Sequence, residues 1–421
     1  MKILFIHQNF PGQYKHLAPT LAAQGHQCVA LTLRVKEPTT WKGVRVIPYG
    51  IQRKQGQGVH PWVQDFDTKV IRAEACHAAA CALRDRGFTP DIIVGHHGWG
   101  ETMFLRDVWP TARIGLYCEL YHLSGADHTG FDPEFQSKTG EAEKLRIRLK
   151  NLNNLVHFDV ADMGISPTQF QASTFPDEWR QKISVIHDGI DTDHLIRNPD
   201  AQLTLPDGST LTREDEVITF VNRNLEPYRG YHIFMRALPR LLKERPNAKV
   251  LIVGGDEVSY GARPPKAKGQ SWKQIFIDEV RGRIPTPSWD RVHFLGRIPY
   301  DQFVSLLQVS RVHVYLTYPF VLSWSLFEAM STQAAIVASS TAPVVEAIRH
   351  DETGRLVDFF DGDALVSEVC DLLDDADARE RLGIAAREYV RGNYDLQTVC
   401  LPRQLDWIQR LHDTTPGRVH D

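Results

Sequence analysis

Long hydrophobic runs are missing from this sequence of 421 residues. No apolar stretch reaches the roughly 18 residues that a membrane-crossing helix needs, so a soluble globular chain is expected. The first apolar run, Ile3-Leu4-Phe5-Ile6, stops at His7-Gln8-Asn9. It is too short for a secretory leader and reads as a strand. Cysteine is scarce: Cys28, Cys76, Cys81, Cys118, Cys370 and Cys400 form no CxxC pair. Most sit in apolar segments, which fits reduced core thiols and a cytoplasmic location. Positive charge is not in excess, with 48 Lys and Arg against 52 Asp and Glu and a net charge of −4. That balance argues against nucleic acid as the main partner. The first loop, His7 to Tyr14, carries Pro11-Gly12-Gln13 rather than GxGxxG, and no acidic residue ends the strand at 27–33. A dinucleotide site there is not expected. Nor does an Asp-x-Asp stand at a strand end; Asp361-Gly362-Asp363 reads as a turn in a late loop, so no metal site is expected. The length suits two domains.

The stretch from Val312 to Val357 organises the rest. Val312-His313-Val314-Tyr315-Leu316 reads as a buried strand, Tyr318-Pro319 as a turn, and 323–331 as a helix capped by Ser323 or Ser325. A second buried strand at 334–338 leads through the small-residue loop 339–343 into a helix carrying Val345, Glu346 and Ile348. A helix start after a parallel strand offers unpaired N–H groups and partial positive charge, a seat for phosphate. Glu328 lies about a turn and a half into the helix, where a carboxylate can reach a sugar hydroxyl. The competing reading makes Glu328 a solvated helix residue and Ser323 only a cap.

The strand 217–221 opens the second half and ends in Asn222-Arg223-Asn224-Leu225-Glu226-Pro227-Tyr228-Arg229-Gly230. Either guanidinium alone would read as a surface ion-pair partner, but two in one loop after a strand suit an anionic ligand. Arginine grips phosphate through parallel hydrogen bonds. Gly254-Gly255 would let backbone approach a ligand closely. A proline-broken insertion spans 260–289, and a strand then leads into Gly296-Arg297-Ile298-Pro299 and a helix over 300–308.

In the first half, 62–86 has the apolar spacing of one long amphipathic helix. The strand 91–95 ends in His96-His97-Gly98. Ligands in open α/β sheets bind outside the carboxyl ends of strands, which makes His96 and His97 candidates for acceptor contact or sugar positioning. The alternative is two polar residues that merely end a strand; a metal would need a third ligand. Glu119, at the end of the strand 112–117, is a second-choice acceptor-side residue. Residues 125–140 read as a polar loop, and 141–155 as a basic amphipathic helix suited either to an anionic membrane surface or to solvent. Residues 198–213 read as an interdomain connector.

The Glu328-Ala329-Met330 triplet after a strand and a proline turn, the small-residue loop before Glu346, and Thr353-Gly354-Arg355-Leu356-Val357 resemble the donor-binding signature of family-4 retaining glycosyltransferases. That resemblance implies an α/β fold of the GT-B type, two Rossmann-like domains facing each other across a cleft. The acceptor-side domain would span 1–200, the nucleotide-sugar-binding domain 201–390, and a helix in 391–421 would cross back to the first. It further implies retaining, metal-independent transfer, without a resident cofactor, from a UDP- or GDP-type sugar donor to a carbohydrate or lipid-linked acceptor. Polysaccharide or glycolipid biosynthesis is the implied setting, with peripheral contact at the inner membrane face left open.

Arg223 matches the family's Arg in Gly-Arg…Lys-Gly, Arg229 stands in for the Lys, and Asn222 replaces the Gly. The resemblance implies that the two cations hold a departing diphosphate. Charge grows on its oxygen as the bond breaks, and fixed cations lower that barrier. By the same resemblance Gly12 and Gln13 would face the donor phosphates and acceptor, and Arg297 and Ile298 the base. The segment 187–193 resembles the Asn-Gly-Val-Asp element that closes the first domain. One departure stands out: the family pairs two glutamates eight positions apart, and counting back from Glu328 lands on Phe320. Either the donor sugar is held through amides near Leu322, Ser323 and Trp324, or catalysis is impaired. A nucleotide-sugar epimerase and a non-catalytic sugar-nucleotide-binding subunit are the alternative readings.

Overall fold

A computed structural model describes residues 1–124, 129–135, 140–265 and 269–417. The chain forms two compact units. The first comprises Met1–Thr129, Gln136–Gly189 and Leu396–Asp421, the second Gly130–Phe135 and Ile190–Asp395. The sequence reading put the boundaries at 200 and 390. Contacts place them at 189/190 and 395/396 because Ile190 bridges Asp395 and the Thr192 hydroxyl donates to the Asp395 carboxylate.

Eight strands build the sheet of the first unit: β1 (Lys2–Ile6), β2 (Gln27–Thr32), β3 (Thr39–Trp41), β4 (Val44–Pro48), β5 (Ile92–His96), β6 (Arg113–Tyr117), β7 (Met163–Ser166) and β8 (Ile183–Val185). Their order is β3-β4-β2-β1-β5-β6-β7-β8, parallel except for the β3/β4 pair. Strands buried on both faces need continuous apolar runs, and Ile3, Leu4, Phe5 and Ile6 are all buried. The helix expected over 62–86 is Gln64–Asp85, but its apolar and polar residues are only weakly segregated, with Val63, Phe66 and Val70 half-buried. The last helix, Leu401–Asp413, belongs to this unit, where the buried Trp407 donates its Nε1–H to the Gly164 carbonyl at 3.1 Å.

The helix expected over 141–155 breaks at Asn151 into Glu141–Lys150 and Leu152–Val160. The Asn151 side chain accepts from the His122 amide at 3.0 Å and donates to the His122 carbonyl at 2.6 Å, so it serves the backbone of another segment. On the first of these helices Lys144 and Arg146 pair with Glu141 and Glu143, which reduces its positive face. Of the loop 125–140, residues 125–128 and 136–139 lie outside the described residues. Among the described residues no helix is long and apolar enough to cross a membrane.

The second unit opens with an antiparallel hairpin, β9 (Gln202–Thr204) and β10 (Thr210–Thr212), where a connector was expected. Its main sheet runs β13-β12-β11-β14-β15-β16 and is wholly parallel. These strands are β11 (Val217–Asn224), β12 (Lys249–Gly255), β13 (Val292–Gly296), β14 (Val312–Tyr315), β15 (Ala335–Ser339) and β16 (Arg355–Val357). Helices such as Tyr231–Glu244 and Gly362–Asp374 bury their apolar stripes on one face, and Trp324–Ser331 packs in the core on the other. The helix expected after 343 is only Ala342–Val345. Soon after it the Arg349 amide donates to Thr353 Oγ1 at 2.9 Å and the chain turns into β16. In the insertion 260–289, residues 266–268 lie outside the described residues, and helices Trp272–Arg281 and Thr286–Trp289 form the remainder.

Candidate active site

The segments after β11, β12 and β14 bring Arg229, Tyr260 and residues 317–321 together. Arg229 is buried (5% exposed), and all three of its hydrogen bonds leave from Nη1. They reach Thr317 Oγ1 at 2.8 Å, the Val321 carbonyl at 2.9 Å and Tyr315 Oη at 3.5 Å. Its Cζ lies 5.2 Å from the Tyr260 ring and 5.7 Å from the Phe320 ring. No carboxylate pairs with it among the described residues. A buried cation without a counter-ion is costly, so its charge is left for a ligand while its hydrogen bonds hold Thr317 and Val321 in place. Gly230 follows in the left-handed region (φ +67°), and a Cβ there would sit 2.3 Å from Leu316 Cβ. That permits the sharp entry into the helix Tyr231–Glu244. Arg223, by contrast, is exposed and makes no hydrogen bond or ion pair among the described residues.

Ser323, not Ser325, caps the helix Trp324–Ser331, its Oγ accepting from the Ser325 amide at 3.3 Å. The Ser323 amide is itself given to Tyr315 Oη at 2.9 Å. That donor, expected to serve the ligand, is therefore committed within the protein. Leu322 is buried and Trp324 half-buried beside it. Glu328 is buried (7% exposed) and accepts from Tyr300 Oη at 2.9 Å, which rules out the solvated-surface reading. Phe320 sits in an aromatic cluster with Tyr228 and Tyr260 at ring distances of 5.3 and 4.9 Å. The position of the absent carboxylate is thus an apolar wall against Arg229.

Sequence reasoning missed Asn224, Glu226 and Tyr260. Asn224 donates to Ser259 Oγ at 2.7 Å and accepts from Arg297 Nη2 at 3.1 Å. Arg297 is exposed and also pairs with Glu257 at 2.6 Å, while Ile298 packs half-buried on the core under β14. A signal for Asn224 and Glu226 existed: both stand between the two arginines in one loop.

In the first unit Gly12 has φ +48°, and a Cβ there would sit 2.3 Å from His7 Nε2. The His7 ring and the positive φ thus demand glycine at this position. His7 Nδ1 accepts from the Asn9 amide at 3.0 Å, so Nε2–H donates to Gln13 Oε1 at 2.7 Å. Burial, aided by His96, pushes the His7 imidazole down to about 3. The His96 ring stacks on Trp99 at 3.9 Å and meets His7 edge-on at 5.7 Å. Its Nδ1 accepts from the Gly98 amide at 3.0 Å, which leaves Nε2–H buried, without a hydrogen bond, and 3.6 Å from Glu119 Oε2. Burial raises the Glu119 carboxyl, but the His96 contact outweighs it and holds the group below its ordinary value. His97 differs. Its Nδ1 binds Asn154 Oδ1 at 2.7 Å and its Nε2 accepts from the Leu120 amide at 3.3 Å. Both nitrogens are committed, and burial pushes this imidazole down to about 3. His97 holds the helix Leu152–Val160 to the strand end.

Among the described residues Asp132, Glu134 and His232 could gather round a cation. The carboxylates are largely occupied: Glu134 accepts from Arg236 through both oxygens, and Asp132 accepts from Tyr318 Oη at 2.8 Å and from the Glu134 amide at 2.9 Å, while His232 Nε2 lies 2.9 Å from Asp132. The set fits a polar tether of Gly130–Phe135 to the second unit better than a metal centre. Phe131 and Phe135 support it, packing on Tyr318 and Trp272. A cavity of about 540 Å³ lined by Asp132, Glu134 and His232, and one of about 600 Å³ near Asp371 and Asp374, include none of Arg223, Arg229 and Glu328.

Comparison with known proteins gives the family and the fold. Residues 24–195 match the glycosyl transferase family 4 group and residues 205–389 the glycosyl transferases group 1. The chain belongs to these group 1 glycosyltransferases of the family-4 type. It is 25% identical over 326 residues to a D-inositol 3-phosphate glycosyltransferase of Corynebacterium efficiens, spanning 73% of this chain and 69% of that one. A GDP-mannose-dependent alpha-(1-6)-phosphatidylinositol monomannoside mannosyltransferase of Mycolicibacterium smegmatis is 26% identical over 245 residues, 56% of this chain and 60% of that one. Among solved structures, sucrose-phosphate synthase from Thermosynechococcus elongatus superposes with a TM-score of 0.73 at 18% identity, covering 98% and 100% of the two chains. HepE of Anabaena, in complex with UDP and glucose, gives 0.66 at 15% identity, covering 97% and 100%. The fold is GT-B.

Proposed function

We propose that the protein is a retaining, metal-independent glycosyltransferase that moves a sugar from a UDP- or GDP-type donor to a carbohydrate or lipid-linked acceptor. The observation that carries this is Arg229, a buried guanidinium without a carboxylate, whose Nε and Nη2 make no hydrogen bond among the described residues. The bond between the anomeric carbon and the β-phosphate oxygen breaks, and a new one forms to an acceptor hydroxyl. The hydroxyl proton passes to the leaving phosphate oxygen. Arg229 and Arg223 stabilise the charge that gathers on the diphosphate. Glu328, its carboxylate set by Tyr300, receives ribose hydroxyls. On the acceptor side, His96 Nε2–H and the Glu119 carboxylate offer a donor and an acceptor to one hydroxyl. Glycolipid or polysaccharide synthesis is the corresponding role, and the inositol-based acceptors named for the relatives make phosphorylated polyols and their lipids first choices. The protein is placed in the cytoplasm, with peripheral contact at the inner membrane face part of this reading.

A second reading, a binding subunit without turnover, is favoured by one observation, the Phe320 ring where the family has a carboxylate. Nucleotide release from a panel of UDP-, GDP- and ADP-sugars, with and without acceptors, separates the two. Acceptor-dependent release with an unchanged anomeric configuration supports transfer. Tight nucleotide binding without release supports the binding subunit, and neither binding nor release in the folded protein removes both readings.

A further inference from the structure

Glu226 has no exposed surface, yet its carboxylate pairs with no basic side chain among the described residues. Three backbone N–H groups of one turn satisfy it instead. Oε1 accepts from Ser259 at 3.1 Å, and Oε2 from Tyr260 at 3.3 Å and Gly261 at 3.1 Å. Hydrogen bonds to an ionised acceptor are the strong ones, so this turn is held tightly to the end of β11. Asn224 adds a fourth tie through Ser259 Oγ. The held turn delivers the Tyr260 ring to 5.2 Å from Arg229 Cζ and 4.9 Å from the Phe320 ring. A carboxylate in that place would orient the guanidinium but cancel its charge. An aromatic face orients it and leaves the charge available.

We propose that Glu226 is a positioning residue for the donor diphosphate, acting through the Ser259–Gly261 turn and the Tyr260 ring on Arg229. The Ser259–Gly261 turn thereby becomes part of the donor site. This inference rests on the glycosyltransferase reading, because it takes the ligand of Arg229 to be a nucleoside diphosphate. Nothing in the residue's own chemistry touches the ligand; its effect is relayed.

The test is a double-mutant cycle read by calorimetric affinity for UDP and GDP, using the full chain and checking each variant's melting. Glu226→Gln keeps the size but offers one acceptor oxygen where two served. It should weaken diphosphate binding about tenfold, and Tyr260→Ala should do the same. Combined, they should cost no more than either alone, because residues that act through one another are not additive. Tyr260→Phe should bind as the unmutated chain does. Multiplying effects, or a Glu226→Gln affinity within about twofold of the original, would overturn the proposal. If Glu226→Gln fails to fold, Tyr260→Ala decides alone, since its ring is 40% exposed and an unchanged affinity refutes the relay. An unmutated chain that binds neither nucleotide defeats the functional reading itself. Binding that both variants leave intact defeats only this inference.

Discussion

Arg223 and Arg229 are given the same chemistry but sit in different surroundings, so truncating each to alanine has different consequences. Arg223 is exposed and bonds to nothing described; its removal should leave stability within about 0.5 kcal/mol. Its contribution arises only as charge develops on the leaving group. Removing one such donor costs about 2–4 kcal/mol of transition-state stabilisation, roughly 30- to 1000-fold in turnover. Arg229→Ala should lose turnover on the same scale and also stability. It strands the buried Thr317 Oγ1 and the part-buried Val321 carbonyl, acceptors worth about 1–3 kcal/mol each when unsatisfied. Steady-state rates with the best donor, beside urea unfolding of the same preparations, measure both effects. Arg223→Ala should fall in kcat with an unshifted midpoint, whereas Arg229→Ala should fall in both. A native kcat for Arg223→Ala refutes its role in the leaving-group site, and an Arg229→Ala protein of native stability refutes the account of its burial. A rise in KM alone would demote either residue to ground-state binding.

Three further outcomes follow from the hydrogen bonds and titrations. Tyr300→Phe removes a 2.9 Å hydrogen bond to the buried Glu328 carboxylate and should cost about 1–3 kcal/mol in unfolding free energy; an unshifted midpoint would mean that this bond contributes nothing to stability. Trp407→Phe leaves the Gly164 carbonyl without its 3.1 Å donor and should lower the melting temperature by a similar free energy, of order 1–3 kcal/mol. His7, His97 and His187 are each held neutral, with values pushed down to about 3, chiefly by burial. Unfolded histidine titrates near 6.5, so the unfolded state binds more protons below that value. Stability is therefore full above about pH 6.5 and falls by on the order of 1 kcal/mol per histidine per pH unit as pH drops towards 3. Urea midpoints that stay level from about pH 7 to 5 would contradict the buried neutral state of these rings.

Much of the second unit was legible in the sequence because its strands are short β-branched runs buried on both faces, with polar residues gathered where they end. Arg229, Ser323 and Glu328 follow from that pattern. The pattern could not show that the Ser323 amide is already given to Tyr315, since the two residues meet only when β14 and the next helix pack. Nor could it show that His96 and His97, identical in type and adjacent in sequence, turn to different partners. The strand ends at His96 and a 3-10 turn begins at His97, so one ring meets Trp99 and Glu119 and the other Asn154. Glu226 was overlooked for a related reason: a carboxylate between two arginines suggests an ion pair, whereas its partners are amides 33 to 35 positions later. The Asn151 helix break was likewise invisible to periodicity, because the competing hydrogen bonds come from His122.

A crystal structure with UDP or GDP bound tests the central claim most directly. The account predicts diphosphate density against the Nε and Nη2 edge of Arg229, with Arg223 swung onto it and the ribose at Glu328. Density for the nucleotide at another site, with no phosphate against the Arg229 edge, would contradict it.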